Sequence, residues 1–343
     1  MQSRSRIRLL LLVFFEGTLC AQQTIPSTAP EYPGPVQLHN QAVNSQRLGR
    51  FADAESQFRE ALHAWEQITT PEPVETAVTL NDLGNLLRVQ GRFLEAERLL
   101  RRAVALEERA EQPVQLDLAY TLNSLGALYC NRNQPTSAIP LLKRGLAIRE
   151  QTLGSEHPLV ASSLSNLADA LLLLDKTVEA ETLYRRALKI LDATAEHPTL
   201  AALTNYKLAE MYSHKRRARA GNLLEAEAFY RQSLTAWDRA PERNHPQVGL
   251  SLCGLAEIYL TQQRYAEAEP LLKQALEIQE QALGSTHPQV ARVLLDYASV
   301  LRKQHLRREA ASMEERAKNI IKASDRSEQM SGAVDVGMLH RPH

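Results

Sequence analysis

The 343-residue chain balances 40 basic against 40 acidic side chains, is 44% apolar but only 5% aromatic, and holds three cysteines. Disorder goes with low hydrophobicity and high net charge, nucleic-acid affinity with a cationic surface and disulfide scaffolds with many cysteines; the composition argues against the first two and excludes the third. Its 54 Leu and 44 Ala, both strong helix formers, point instead to an all-α protein.

In chain order, Arg4, Arg6 and Arg8 precede the apolar run Leu9 to Phe15, and Glu16 to Ala21 follow. This is the layout of a secretory signal peptide cut after Cys20 or Ala21, which predicts export to a bacterial periplasm or the extracellular space. The run is far short of the about 20 apolar residues that span a bilayer. A lipoprotein anchored at Cys20 is a second reading, disfavoured by the bulky Leu19 before it; an incidental apolar start on a cytosolic protein is a third. Loss of residues 1–21 removes three Arg and one Glu and leaves a net charge of −2. Residues 22–35 read as a Pro-rich flexible lead-in, and residues 323–343, without helical periodicity, as a disordered tail.

Between them the sequence repeats. Alanines stand at 54, 96, 138, 180, 226, 268 and 310, at intervals of 42, 42, 42, 46, 42 and 42, and five are followed by Glu. Each repeat reads as two amphipathic helices, A and B. In the second, Leu80, Leu83, Gly84 and Leu87 share a face of helix A, and Phe93, Ala96, Leu100, Ala103 and Leu106 share a face of helix B. Small residues recur in helix A at 42, 84, 126, 168, 209, 256 and 298, where crossing helices must approach within about 8–10 Å. Leu100, Leu142, Tyr184, Tyr230 and Leu272 are the large residues that fill the adjoining holes. The four-residue excess falls near Lys215, Arg216, Arg217 and Arg219, read as a longer turn in the fifth repeat.

These residues resemble the tetratricopeptide repeat: Leu83-Gly84, Leu87, Gly91, Phe93, Ala96, Leu100 and Ala103 match its pattern directly, whereas Asn133 and Pro135 depart from it in the third repeat. The 42-residue period and the loops Leu153-Gly154-Ser155-Glu156-His157-Pro158 and Leu283-Gly284-Ser285-Thr286-His287-Pro288 look like the kinesin-light-chain-type subfamily, also abundant in bacteria. The resemblance covers residues 36–322 and implies a right-handed α–α superhelical solenoid of about seven helix pairs. Stacked pairs of this kind form an extended concave surface. In the resembled family that groove is lined by the A-helix face away from helix B, which maps here to Asn81, Asn85, Arg88, Tyr120, Asn123, Ser165, Asp169, Tyr206 and Glu210. Asn81, Asn85 and Asn123 are expected to be replaceable there with little loss of stability.

Little else suggests chemistry. His157, His197, His245 and His287 belong to successive repeats, too far apart to converge on a zinc ion, and read as polar helix-start residues before Pro. Cys130 and Cys253 lie three repeats apart, beyond the about 7 Å that a disulfide spans. The sequence has no H-E-x-x-H, Walker, nucleophile-elbow or dinucleotide motif, so no catalytic residue, cofactor or metal is expected. Neither the basic cluster at 215–219 nor Arg302, Lys303, Arg307 and Arg308 has interleaved aromatics, so nucleic acid is not an expected partner. The chain thus reads as a non-enzymatic scaffold binding a protein or extended peptide, with no transmembrane segment after processing. An envelope-anchored assembly factor acting by self-association is the alternative. Glu314, where other repeats carry Leu, Tyr or Phe, looks like a polar cap and favours a monomer.

Overall fold

The computed structural model describes residues 34–68, 73–110, 115–194, 196–213, 220–241 and 245–337. The leader, the basic cluster 215–219 and the last six residues lie outside them. Among the described residues there are fourteen helices and no strand: α1 (Pro35–Arg47), α2 (Phe51–Gln67), α3 (Pro73–Val89), α4 (Phe93–Glu107), α5 (Gln115–Asn131), α6 (Pro135–Leu153), α7 (Pro158–Leu172), α8 (Thr177–Thr194), α9 (Pro198–Ser213), α10 (Ala220–Arg239), α11 (Pro246–Thr261), α12 (Tyr265–Leu283), α13 (Pro288–Lys303) and α14 (Arg307–Gly337). They pair as seven A–B repeats, an all-α helical repeat fold.

The chain divides into two compact units between Ile190 and Leu191. In the first, α1 to α7 pack in sequence order, and the A helices α3, α5 and α7 also touch one another. In the second, α9 to α14 pack in order, and the A helices α9, α11 and α13 form the equivalent row. The recurrent small residues do what their spacing predicts. A Cβ on Gly84 would lie 2.8 Å from Leu100 Cγ, and one on Gly126 would lie 2.6 Å from Leu142 Cγ. The helix-B alanines 54, 96, 138, 180, 226, 268 and 310 are all fully buried.

The six described turns from A to B share one backbone solution. Gly49, Gly91, Asn133, Asp175, Gln263 and His305 all have positive φ, from 57° to 80°. In each, the following amide reaches back to a carbonyl five residues earlier, as in Arg92 N to Leu87 O and Leu306 N to Leu301 O, both 2.9 Å. That closure stops helix A whatever side chain sits at the turn. At the other end of the repeat, Gly154 and Gly284 follow helix B with φ of 87° and ψ of 157° and 151°. The sequence predicts a left-handed cap there; the observed conformation is extended with positive φ, a region essentially restricted to glycine. The next helix is then capped by histidine: His157, His245 and His287 Nδ1 accept from the amide two residues on, at 3.1–3.2 Å. Trp237 stacks on the His245 ring at 5.1 Å.

Two ladders of ion pairs join consecutive repeats. In four repeats the Glu after the buried Ala reaches the A–B turn of the next repeat. Arg92 donates to Glu55 at 2.7 Å, Arg132 pairs with Glu97, Arg264 donates to Glu227 at 3.1 Å and Gln304 to Glu269 at 2.9 Å. Tyrosine completes two of them: Tyr129 donates to Glu97 at 2.8 Å and accepts from Arg101, while Tyr259 accepts from Arg231 at 2.8 Å beneath the Arg264 guanidinium. The second ladder links B helices, through Arg102–Glu66, Arg144–Glu108, Arg186–Glu150 and Arg316–Glu280, each 36 residues apart. Exposed pairs add little to stability; a fixed offset makes them markers of register.

Helix α1 starts at Pro35, and α14 continues to Gly337, past residue 322 where the sequence ends the last helix. No Pro interrupts residues 323–337. Glu314 accepts from Arg302 at 2.6 Å, in the slot that Leu100 or Tyr184 fills elsewhere.

Gly91 has φ of 80° and open space around a would-be Cβ. Gly91→Ala is therefore expected to cost only backbone strain, about 1 kcal/mol, read as a lower urea midpoint of unfolding.

Candidate functional site

The face of the A helices turned from their B helices differs between the two units. In the first it is largely closed. Helices α5 and α7 bury nearly every residue from Leu118 to Cys130 and from Val160 to Leu171. Polar groups on this face mainly bind the A helices together. Asn85 Nδ2 donates to Ser124 Oγ at 2.9 Å, and Arg88 donates to Asn85 and to Asn131 at 3.3 and 3.5 Å. Burial brings the Arg88 guanidinium down to about 10. Asn123 Nδ2 donates to Ala119 O at 2.8 Å and lies so near Gly145 that a Cβ there would stand 2.7 Å away. Asp169 accepts from Tyr184, a fully buried phenol whose pKa burial and Asp169 together raise well above 10.

At the start of this face His39 stands 3.4 Å from Asp82, with Thr79 Oγ1 3.2 Å from its Nδ1. Burial pushes Asp82 up to about 7 and His39 down to about 4. At neutral pH the imidazole is therefore uncharged, and the contact is a hydrogen-bonding one rather than a full ion pair.

The second unit presents a more open surface. Tyr206 and Glu210 on α9, Cys253 and Glu257 on α11, and Arg292 and Asp296 on α13 are three pairs at i, i+4 spacing, which places each pair on one helix face. Glu257, Arg292 and Leu295 are exposed, and Tyr206, Glu210, Cys253 and Asp296 are half-buried. Buried Tyr230 of α10 donates to Glu210 at 2.6 Å, and its ring lies 6.0 Å from that of Tyr206. A Cβ on Gly254 would lie 2.2 Å from the Tyr230 ring, so glycine there is what admits the phenol. Burial raises Tyr206 well above its ordinary pKa, and the Glu210 carboxylate adds to it. Arg292 is raised against its own partial burial by Asp296, Glu210, Tyr206 and Glu257, so one guanidinium sits in the field of three helices. Burial pushes the Cys253 thiol up as well.

Of the residues that the resemblance maps to the groove, Asn81, Arg88, Asn123, Ser165 and Asp169 are buried, while Asn85, Tyr120, Tyr206 and Glu210 are partly exposed. The expectation that Asn81, Asn85 and Asn123 can be exchanged cheaply is corrected. Asn81 and Asn123 stand inside packed helices, and Asn85 ties α3 to α5. Glu257, Arg292, Leu295 and Asp296 were not singled out from sequence, although their i, i+4 spacing on one helix face was visible there. Cys130 and Cys253 are thiols, and among the described residues no group of three or more His, Cys, Asp or Glu could hold a metal. No helix among them is long and apolar enough to cross a membrane.

The family profile of the tetratricopeptide repeat matches residues 37–109, 117–193, 200–281 and 251–323. None of the curated proteins matches the chain significantly. Among solved structures, a kinesin-light-chain-like protein of Podosopora anserina with nearly identical TPR-like repeats is 26% identical, over 61% of this chain and 97% of its own, at a TM-score of 0.47. RapI in its apo form is 13% identical over 84% of this chain and 99% of its own, at 0.59. Aspartyl phosphate phosphatase F of Bacillus subtilis is 11% identical over 83% of this chain and 70% of its own, at 0.58. At such identities the last two show a shared fold alone.

Tyr230→Phe removes the donor that fixes Glu210. A hydrogen bond to a charged acceptor supports an expected loss of about 2 kcal/mol, measured as a lower unfolding midpoint of the full chain.

Proposed function

The chain belongs to the tetratricopeptide repeat family, and we propose that it is a non-enzymatic scaffold that docks a protein or extended peptide on the inner face of its A helices, chiefly in the second unit. One observation carries this reading. Three successive A helices, α9, α11 and α13, bring Glu210, Glu257, Arg292 and Asp296 into one another's field, and Leu295 beside them in sequence is 44% exposed. Buried Tyr230 holds Glu210 in place before any partner arrives, so little ordering cost falls on the scaffold. Mixed charges with an exposed Leu suit a segment of mixed character; they form no converging acid, base and nucleophile. The basic start Arg4, Arg6 and Arg8 before Leu9–Phe15 supports export as the setting, and N-terminal sequencing of the mature chain checks it.

In the test, the wild-type chain, a Glu257→Arg/Arg292→Glu double variant and Lys273→Glu, which alters an exposed position on helix α12, are used as baits in cells of the source organism. The double variant is expected to lose at least about tenfold of the specifically captured partner, a factor worth about 1.4 kcal/mol, while Lys273→Glu retains it and both melt near the wild type. Equal capture by all three would place the docking surface elsewhere.

A further inference from the structure

The loop into α13 is built around one acceptor. His287 N donates to Gly284 O at 3.2 Å, and Val290 N donates to His287 O at 2.9 Å. Pro288 has no N–H, so Gln289 carries the first amide of the helix, and that amide donates to His287 Nδ1 at 3.2 Å. A backbone N–H can only donate, so the ring nitrogen it reaches must carry no proton. The same bond, at 3.1 Å, opens α7 from Leu159 to His157 and α11 from Gln247 to His245. Three helix starts thus rest on an acceptor that one proton removes.

His287 is half-buried, and its surroundings oppose a positive ring. Glu280, the carboxylate near the end of α12, is taken by Arg316 of α14, which also donates to Ser285 O at 3.5 Å. Lys318 and Lys322 follow on α14 and are exposed. Helix α13 itself brings Arg292, and its partially positive end points at the ring. On α11, which also touches α13, the first charged residue is Glu257, far from the helix start.

We propose that His287 is an acid-released latch on the docking face of the second unit: neutral, it caps α13; protonated, it frees the first turn and, with it, Arg292. The amide of Arg292 belongs to that turn, since its acceptor four residues back is Pro288 O. The consequence for a partner rests on the docking reading above; the latch itself is a property of the helix start. Burial agrees with the bond in favouring the neutral ring and lowers His287 from its ordinary 6.5. A folded-state value below the unfolded one means that the cap is fully present above pH 6.5 and is lost as pH falls through the folded value.

The experiment is hydrogen exchange of the full chain at pH 7.5 and pH 5, corrected for intrinsic rates. Amides of residues 289–293 are expected to open about fivefold more at pH 5, the worth of one helix cap. Residues 266–269 of α12, whose N-cap Arg264 makes no side-chain hydrogen bond, stay constant. His287→Asn, which offers an amide oxygen in place of the ring nitrogen, should abolish the difference. Nitrogen NMR of the wild-type ring, its signals identified by their absence in the variant, should show Nδ1 bare and Nε2 protonated at pH 7.5, with a midpoint below 6.5. A protonated Nδ1, a midpoint above 6.5, or the same acid opening in His287→Asn would overturn the proposal. If His287→Asn fails to fold, the ring tautomer and the comparison of α13 with α12 still decide. Partner capture at pH 5 should fall for the wild type and hold for His287→Asn; equal loss in both would separate the latch from docking. Equal capture by the charge-swapped variant above would instead remove the docking reading and leave the latch standing.

Discussion

Two helices can cross at close range only where one of them withholds a side chain. That steric constraint governs the whole chain: Gly84 receives Leu100, Gly126 receives Leu142, and the helix-B alanines from Ala54 to Ala310 sit at zero exposure. Once those contacts are set, the length of each helix, the place of each turn and the face left over for solvent or partners follow. The ion-pair ladders come after this. They sit on a frame already fixed by packing, and their partly exposed geometry gives them weight in choosing register rather than in holding the fold.

The inner face shows how one repeat can be used in two ways. In the first unit the polar residues are consumed by the architecture: Asn85 joins Ser124, Arg88 joins Asn131, Asp169 joins Tyr184. In the second, Glu257, Arg292 and Leu295 remain accessible, and the buried tyrosine is spent on orienting Glu210. Burial separates these cases.

Most of the fold was legible because a period of 42 residues is read from identity at a distance, needing no energy estimate. The alternation of small and large residues named the crossing points, and the Gly-x-x-His-Pro loops named helix starts. The ladders were not read, since Glu97 beside Arg98, Arg101 and Arg102 looks like any solvated helical face; its partner Arg132 is 35 residues away in sequence. The site was read less well. Helical phase put Asn81 and Asn123 on the inner face, but exposure there depends on how tightly α3, α5 and α7 approach, a quantity set by side chains on other helices.

The first ladder has a polarity. The second and sixth repeats each offer a carboxylate forward, from the B helix, and a cation backward, from the A–B turn: Glu97 toward Arg132 and Arg92 toward Glu55 in one, Glu269 toward Gln304 and Arg264 toward Glu227 in the other. A copy of either of these two repeats therefore brings both halves of a junction. Such a chain can lengthen by in-frame duplication without inventing a new interface, whereas reversing or shuffling repeats of unequal offset would set carboxylate against carboxylate. The sequence carries, in the spacing of its charges, the order in which its repeats must be joined.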